Sequence, residues 1–158
     1  MLEITLRGAN LDDIPTLLEF EQRVIEAERP FDLNLKEANI SYYDLNTLLS
    51  SENVALMVAE VGSQLVGCGY AEIRESKQCH VHDKHSYLGF MYVDSDFRGY
   101  GINKSLIDSL IKWSKEKHVY QFHLDVYADN QNAIRAYEKA GFKRDYINMS
   151  LSLDMVSE

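Results

Sequence analysis

Between Tyr92 and Leu110 the chain reads YVDSDFRGYGINKSLIDSL: an apolar run, a turn holding Arg98, Gly99, Tyr100 and Gly101, then a helical pattern. A strand that ends at the mouth of a helix exposes unpaired helical N–H groups, and glycines there let an anion reach the backbone without meeting a Cβ. Such a turn suits a phosphate. Two common phosphate loops do not fit it. A Walker loop needs Gly-Lys followed by Ser or Thr, whereas Lys104 follows Asn103. A dinucleotide turn needs a third glycine where Lys104 stands, and no parallel strand–helix–strand unit opens the chain. A ligand-free tight turn stays open as a reading of the two glycines alone.

A second segment, DVYADNQNAIRAYEKAGF, narrows the choice. Taken together, the two segments resemble the GNAT family of N-acetyltransferases. In that family a central strand ends in Val, and Arg or Gln-x-x-Gly-x-Gly or Ala follows; Val93, Arg98 and Gly101 match, and Asn103 departs from the small last residue. The family's later motif, Asn-x-x-Ala-x-x-x-Tyr-x-x-x-Gly-Phe, is met by Asn130, Ala133, Tyr137, Gly141 and Phe142. The resemblance implies that acetyl-CoA is the acyl donor. Its diphosphate would rest on N–H groups of Arg98, Gly99, Tyr100, Gly101, Ile102 and Asn103, and its pantetheine arm along the main chain of Met91, Tyr92 and Val93. Asn130 and Ala133 would lie beside that arm, with Tyr137 facing the thioester sulfur. The Asn103 amide would either bond the donor or cap the helix.

Direct acyl transfer to nitrogen needs a neutral amine, an oriented thioester, an oxyanion donor and a proton for the leaving thiolate. Tyr137 is the candidate acid, set against a purely packing role on a helix face shared with Ala133, Ile134 and Ala140. The Met91 N–H is the candidate oxyanion donor. A lysine-like amine of pKa ~10.4 is about one part in a thousand neutral near pH 7.4, a handicap of ~4 kcal/mol, whereas an α-amine near ~8 needs far less help. Glu72, Glu75 and Asp125 are the candidate bases. Tyr87 stands where some relatives of the resembled family carry a glutamate. The alternative to an enzyme is a non-catalytic acyl-CoA-binding or sensory module.

The 158 residues suit one domain, taken as 1–158. A net charge of −9 argues against nucleic acid or an anionic membrane as partner. Ten acids (3, 12, 13, 19, 21, 26, 28, 32, 37, 44) against four bases (7, 23, 29, 36) put −6 of that charge before residue 51, which favours a cationic amine acceptor: polyamine, aminosugar or peptide. Tyr42 and Tyr43 could line its pocket. No basic, apolar leader or membrane span is visible, so a cytoplasmic location is expected. Cys68 and Cys79 form no framework, and His80, His82 and His85 lack metal-ligand spacing, so no metal is expected. The oligomeric state is left at monomer or homodimer.

The elements that must hold these groups follow from periodicity. EITLR alternates as a strand, and a helix capped at Asn10 carries Ile14, Leu17, Leu18, Val24 and Ile25 at helical spacing. A short helix lies in ISYYDLNTLLSS. Two strands meet at Gly62 and Ser63 as a type II′ hairpin, and SYLGFMYVD is a further strand with a bulge marked by Gly89. Ile102, Leu106, Leu110 and Trp113 stripe the next helix; YQFHLDVYA is a strand; Gly141 closes the last helix. The tail DYINMSLSL places Ile147, Met149, Leu151 and Leu153 on one face of a final strand. This order predicts an α/β (α+β) sandwich, a mixed and mostly antiparallel sheet with helices on both faces, as the resemblance also implies.

Overall fold

The computed structural model describes residues 1–155, so the last three positions of the expected 1–158 domain lie outside the described residues. Strands β1 (Ile4–Gly8), β2 (Val54–Val61), β3 (Gln64–Glu75), β4 (Lys84–Val93) and β5 (Phe122–His123) form one sheet in that order. The first four pair antiparallel and β5 joins β4 parallel, which is the mixed, mostly antiparallel sheet expected. Residues 66–71 of β3 are buried without alternation because both sheet faces are covered there.

Helix α1 (Ile14–Glu28) and α2 (Leu45–Ser50) cover one face. Leu17 and Phe20 of α1 and Leu45 of α2 pack with Leu56, Val58, Tyr70, Phe90 and Tyr92. Helix α3 (Ile102–Glu116) covers the other, where Leu106, Ile107 and Leu110 meet Val66, Ala71 and Leu88. Helix α4 (Gln131–Lys139) joins that second layer through Tyr137. Each helix begins and ends for a local reason. The Asn10 side chain accepts from Asp12 N–H and its own N–H donates to Asp13, a reciprocal cap leading through a 3-10 turn into α1. Gly141 takes φ +101 after α4, and Phe142 N–H reaches back to Tyr137 O at 3.0 Å.

Two expectations are corrected. The strand expected over 120–128 reduces to Phe122–His123, because β4 offers it a ladder only at Ser86 and Tyr87. The tail forms no strand: residues 143–155 are all exposed, and their apolar alternation meets no sheet edge within this chain. Alternation marks a strand that one face of a sheet would bury, but it does not supply the neighbour.

Candidate active site

The site begins where β4 and β5 part. Their pairing stops at Tyr87↔His123, and beyond it the main chain of Leu88–Val93 has no strand partner on that side among the described residues. The resulting wedge holds Met91, Tyr92 and Val93. On the opposite side, Cys68 faces Tyr92 and Tyr70 faces Gly89, so Phe90 and Met91 together oppose Gly69 as a β-bulge. The bulge lies one residue past the glycine expected to mark it. Phe90 carries the positive φ of 51°, held by burial and by stacking on Tyr43 at 4.4 Å, while its carbonyl accepts from Cys68 Sγ at 3.4 Å. Gly89 is small for another reason: a Cβ there would lie 2.5 Å from the Tyr70 ring.

At the end of β4 the Asp94 carboxylate accepts from Asp96 N–H at 3.1 Å and starts a 3-10 turn. Arg98 Nε donates back to Val93 O at 3.2 Å, which closes the bend. Gly99 and Gly101 adopt φ +88 and +79, and a Cβ at either would meet nothing within 4 Å. Glycine is therefore required for conformation, and the space above the turn is open. Helix α3 starts at Ile102 with no side-chain cap; its first return bond runs from Ser105 N–H to Gly101 O at 3.0 Å. The N–H groups of Ile102, Asn103 and Lys104 are thus without intrahelical partners, at the positive end of the helix dipole. Asn103 does not cap the helix, which removes one of its two expected roles. The residues present fit a diphosphate.

Asn130 caps α4: its Oδ1 accepts from Ala133 N–H at 3.3 Å, which leaves the side-chain NH2 able to donate. Tyr137, two turns on, packs beside Phe142, and its hydroxyl has no hydrogen-bond partner among the described residues. Burial, and then the charge of Glu28, push its pKa up to about 12. This phenol stays protonated.

Glu28, at the end of α1, went unnoticed in the sequence. Burial raises its pKa above the ordinary carboxyl value, and Asp32 adds to the rise while Tyr42 opposes it. The Tyr42 hydroxyl is buried beside it without a partner in hydrogen-bonding geometry. Tyr127 donates to Asp32 at 2.8 Å and stacks near Phe31 at 6.3 Å, and burial chiefly pushes its pKa up to about 12. Glu28, Asp32, Tyr42, Tyr127 and Tyr137 therefore form one acidic, aromatic group. Glu21 was also missed. It is 1% exposed, and its carboxylate accepts from the N–H groups of Tyr42 at 3.1 Å and Tyr43 at 2.8 Å, fixing the loop that carries them. A carboxylate on the buried stripe of α1 was the available signal.

Two of the three expected bases are engaged elsewhere, and Glu75 is exposed at the end of β3, 3.9 Å from Lys84. Glu72 pairs with Arg74, whose guanidinium lies 3.9 Å over the Tyr87 ring, and Asp125 accepts from the Tyr87 hydroxyl at 3.0 Å. Tyr43, partly buried, packs against the core by stacking on Phe90, and both tyrosines feel the charge of Glu28. His82 and His85 meet His123, and His80 lies beside His82, with Ser76 Oγ 2.7 and 2.9 Å from the Nδ1 atoms of His82 and His85. Among the described residues no cluster is arranged to hold a metal ion, and no helix is long and apolar enough to cross a membrane.

The architecture and the two motifs can be set beside known proteins. Over 146 residues the chain is 27% identical to an uncharacterized N-acetyltransferase of Methanocaldococcus jannaschii, covering 88% of this chain and 60% of that protein. It thus spans less than two thirds of that relative. It is 26% identical over 146 residues to an N-alpha-acetyltransferase of Sulfurisphaera tokodaii, covering 89% of this chain and 81% of the relative. A predicted acetyltransferase from Clostridium acetobutylicum, solved with acetyl-CoA, superposes with a TM-score of 0.76 at 21% identity, over 95% of this chain and 96% of that one; this likeness speaks for the fold. Residues 15–142 match the Acetyltransferase (GNAT) family, most of the chain and both motifs, and the chain belongs to that family.

Proposed function

We propose that the protein is an N-acetyltransferase that moves acetyl from acetyl-CoA to a primary amine by direct attack within a ternary complex. One observation carries the reading: the anion-ready turn, the wedge between β4 and β5, and the protonated Tyr137 lead in sequence to an acidic group that suits a cationic acceptor. The diphosphate would lie on the N–H groups from Arg98 to Lys104, and the arm along Met91, Tyr92 and Val93. Asn130 would donate its amide to that arm, with Ala133 against it.

In the reaction the neutral amine nitrogen attacks the thioester carbonyl, a main-chain N–H near Met91 receives the developing oxyanion, and the C–S bond breaks. The amine's proton passes to a carboxylate. Glu28 takes precedence over Glu72 and Asp125, because Arg74 and Tyr87 already occupy those two. Tyr137 acts on the sulfur as a hydrogen-bond donor. Complete transfer from a phenol near 12 to a thiolate of ordinary pKa ~8.5 is uphill, so the thiolate takes its final proton from water. The raised pKa of Glu28 makes it the stronger base, and an α-amine needs less such help than a lysine. The N-alpha-acetyltransferase relative supports testing peptide α-amines first. The free cysteines are compatible with action in the cytoplasm.

Release of free CoA thiol is the test, across a panel of peptides, polyamines and aminosugars with wild type and Glu28→Gln. Turnover with at least one cationic amine, and a Glu28→Gln variant that loses the pH-dependent limb attached to the carboxylate, is the expected result. Tight acetyl-CoA binding with no turnover across the panel would favour a non-catalytic acyl-CoA sensor.

A further inference from the structure

The five histidines of the chain are not scattered: His80, His82, His85 and His123 gather where β5 joins β4. Three come from the β3–β4 loop and the start of β4, and the fourth comes from β5, which the fold brings across from far along the chain. His85 and His123 meet edge to face with ring centroids 4.8 Å apart, and His80 lies 5.0 Å from His82. His82 stands 6.5 Å from His85 and 6.3 Å from His123, so the four rings make one connected group. Histidine is the side chain that ordinarily changes charge between about pH 5 and 8, and here that change is concentrated in one place.

The group is built for neutral rings. Ser76 Oγ lies 2.7 Å from His82 Nδ1 and 2.9 Å from His85 Nδ1. A hydroxyl has one proton and two lone pairs, so neutral rings satisfy it fully: it donates to one bare Nδ1 and accepts N–H from the other. With both rings protonated, its own proton loses that acceptor. The surroundings of His85 also resist a charge. Burial, then His123 of β5, Arg74 of β3, and His82 and His80 of the loop hold its pKa below the ordinary 6.5. The carboxylates at this end of the sheet are turned to other partners: Glu72 to Arg74, Glu75 toward Lys84 and Asp125 to the Tyr87 hydroxyl, while Asp83 is exposed. Lys77 and Lys84 add only positive charge nearby.

The place of the group gives it leverage. β5 is held to β4 only at Ser86↔Phe122 and Tyr87↔His123, with Ser86 N–H donating to Gln121 O at 2.8 Å. His85 and His123 flank this short seam, at the vertex from which the wedge opens toward Met91. We propose that protonation of the four-histidine group parts β5 from β4, so that the vertex is a pH-sensitive hinge and the seat of the donor arm loosens in mild acid. Its effect on the donor rests on the function proposed above; the hinge itself does not. An open seam takes protons at the ordinary 6.5 and a closed one only below it. The closed seam is therefore fully favoured above pH 6.5 and gives way as pH falls beneath that value.

Hydrogen exchange at the Ser86 amide reads the seam in the intact chain with no ligand present. Between about pH 7.5 and about pH 5.5 its protection, corrected for intrinsic exchange, is expected to fall about tenfold, as one ring of ordinary pKa allows, while the β2–β3 amides keep theirs. His123→Phe retains an aromatic edge for His85 without a titrating nitrogen and is expected to abolish the fall. His80→Gln/His82→Gln lies in the loop outside the strands and is expected to reduce it, which covers a His123→Phe that fails to fold by circular dichroism. Titration calorimetry with acetyl-CoA at the acid pH should show about tenfold weaker binding by wild type than by His123→Phe. Equal Ser86 protection at both pH values overturns the inference, as does a fall that persists in both variants. Lost protection with no acetyl-CoA binding at either pH upholds the hinge and removes the donor reading. Zinc that raises the melting temperature of wild type but not of His123→Phe makes the group a metal site and overturns the hinge.

Discussion

The proposed donor half of the site is built mainly on one stretch, Met91 to Lys104, and offers chiefly main-chain groups, with Asn130 and Ala133 beside the arm. The acceptor half draws Glu28, Asp32, Tyr42, Tyr127 and Tyr137 from four separate segments and offers side chains. The difference is physical. A diphosphate is the same in every donor, so a rigid helix terminus serves it, whereas an acceptor amine is recognised by charge and shape that only side chains vary. Backbone recognition therefore constrains glycine placement in one short run, and side-chain recognition constrains residues far apart.

The comparison can be broken most forcefully at Gly101. Gly101→Asp would place a carboxylate and a Cβ at φ +79 over the open nest; loss of about two charge-assisted bonds implies roughly 100-fold or weaker acetyl-CoA binding by titration calorimetry. Acceptor KM should change far less. Next comes Glu21→Ala, which leaves two buried N–H groups of the Tyr42 and Tyr43 loop without an acceptor. About 3 kcal/mol of stability is expected to be lost in urea unfolding, and sub-denaturing assays should show acceptor KM rising while acetyl-CoA affinity holds.

Tyr137→Phe sharpens the boundary between the halves. Losing a hydrogen bond to a developing thiolate is worth about 2 kcal/mol, so kcat should fall roughly 30-fold with donor affinity retained. Unchanged turnover would make Tyr137 a packing residue. The smallest effect is expected at the start of α1, away from both halves. Arg7 binds Asp13 through two 2.8 Å bonds and holds its carboxyl below the ordinary value. That stabilisation is present above pH 3.8, the ordinary carboxyl value, and is lost as pH falls through the lower folded value. Asp13→Asn should thus cost about 1 kcal/mol at neutral pH, and the two unfolding curves should converge in acid.

These contrasts also explain what could be read from the chain. The turn at Gly99 and Gly101, the stripe of α3 and the close of α4 at Gly141 were legible because each is local and tied to a backbone requirement. Glu28 was hidden because its significance comes from burial beside Tyr42 and Asp32, which no spacing reveals. Glu21 entered only the count of acids before residue 51, because helical period alone cannot say that a carboxylate on the inner stripe meets two N–H groups from another loop. The bulge was misplaced by one residue because Gly89 answers to the Tyr70 ring, while Phe90 bears the positive φ. The tail alternates as a strand should, but alternation names a buried face without naming the sheet that buries it.

The central claim is that main-chain N–H groups at the start of α3 hold the donor's diphosphate. It is tested most directly by proton–nitrogen correlation spectra during titration with CoA and with pantetheine, which lacks the diphosphate. The amides from Gly99 to Lys104 should shift strongly with CoA and little with pantetheine. Saturating CoA that leaves those amides unmoved while others shift would contradict the account.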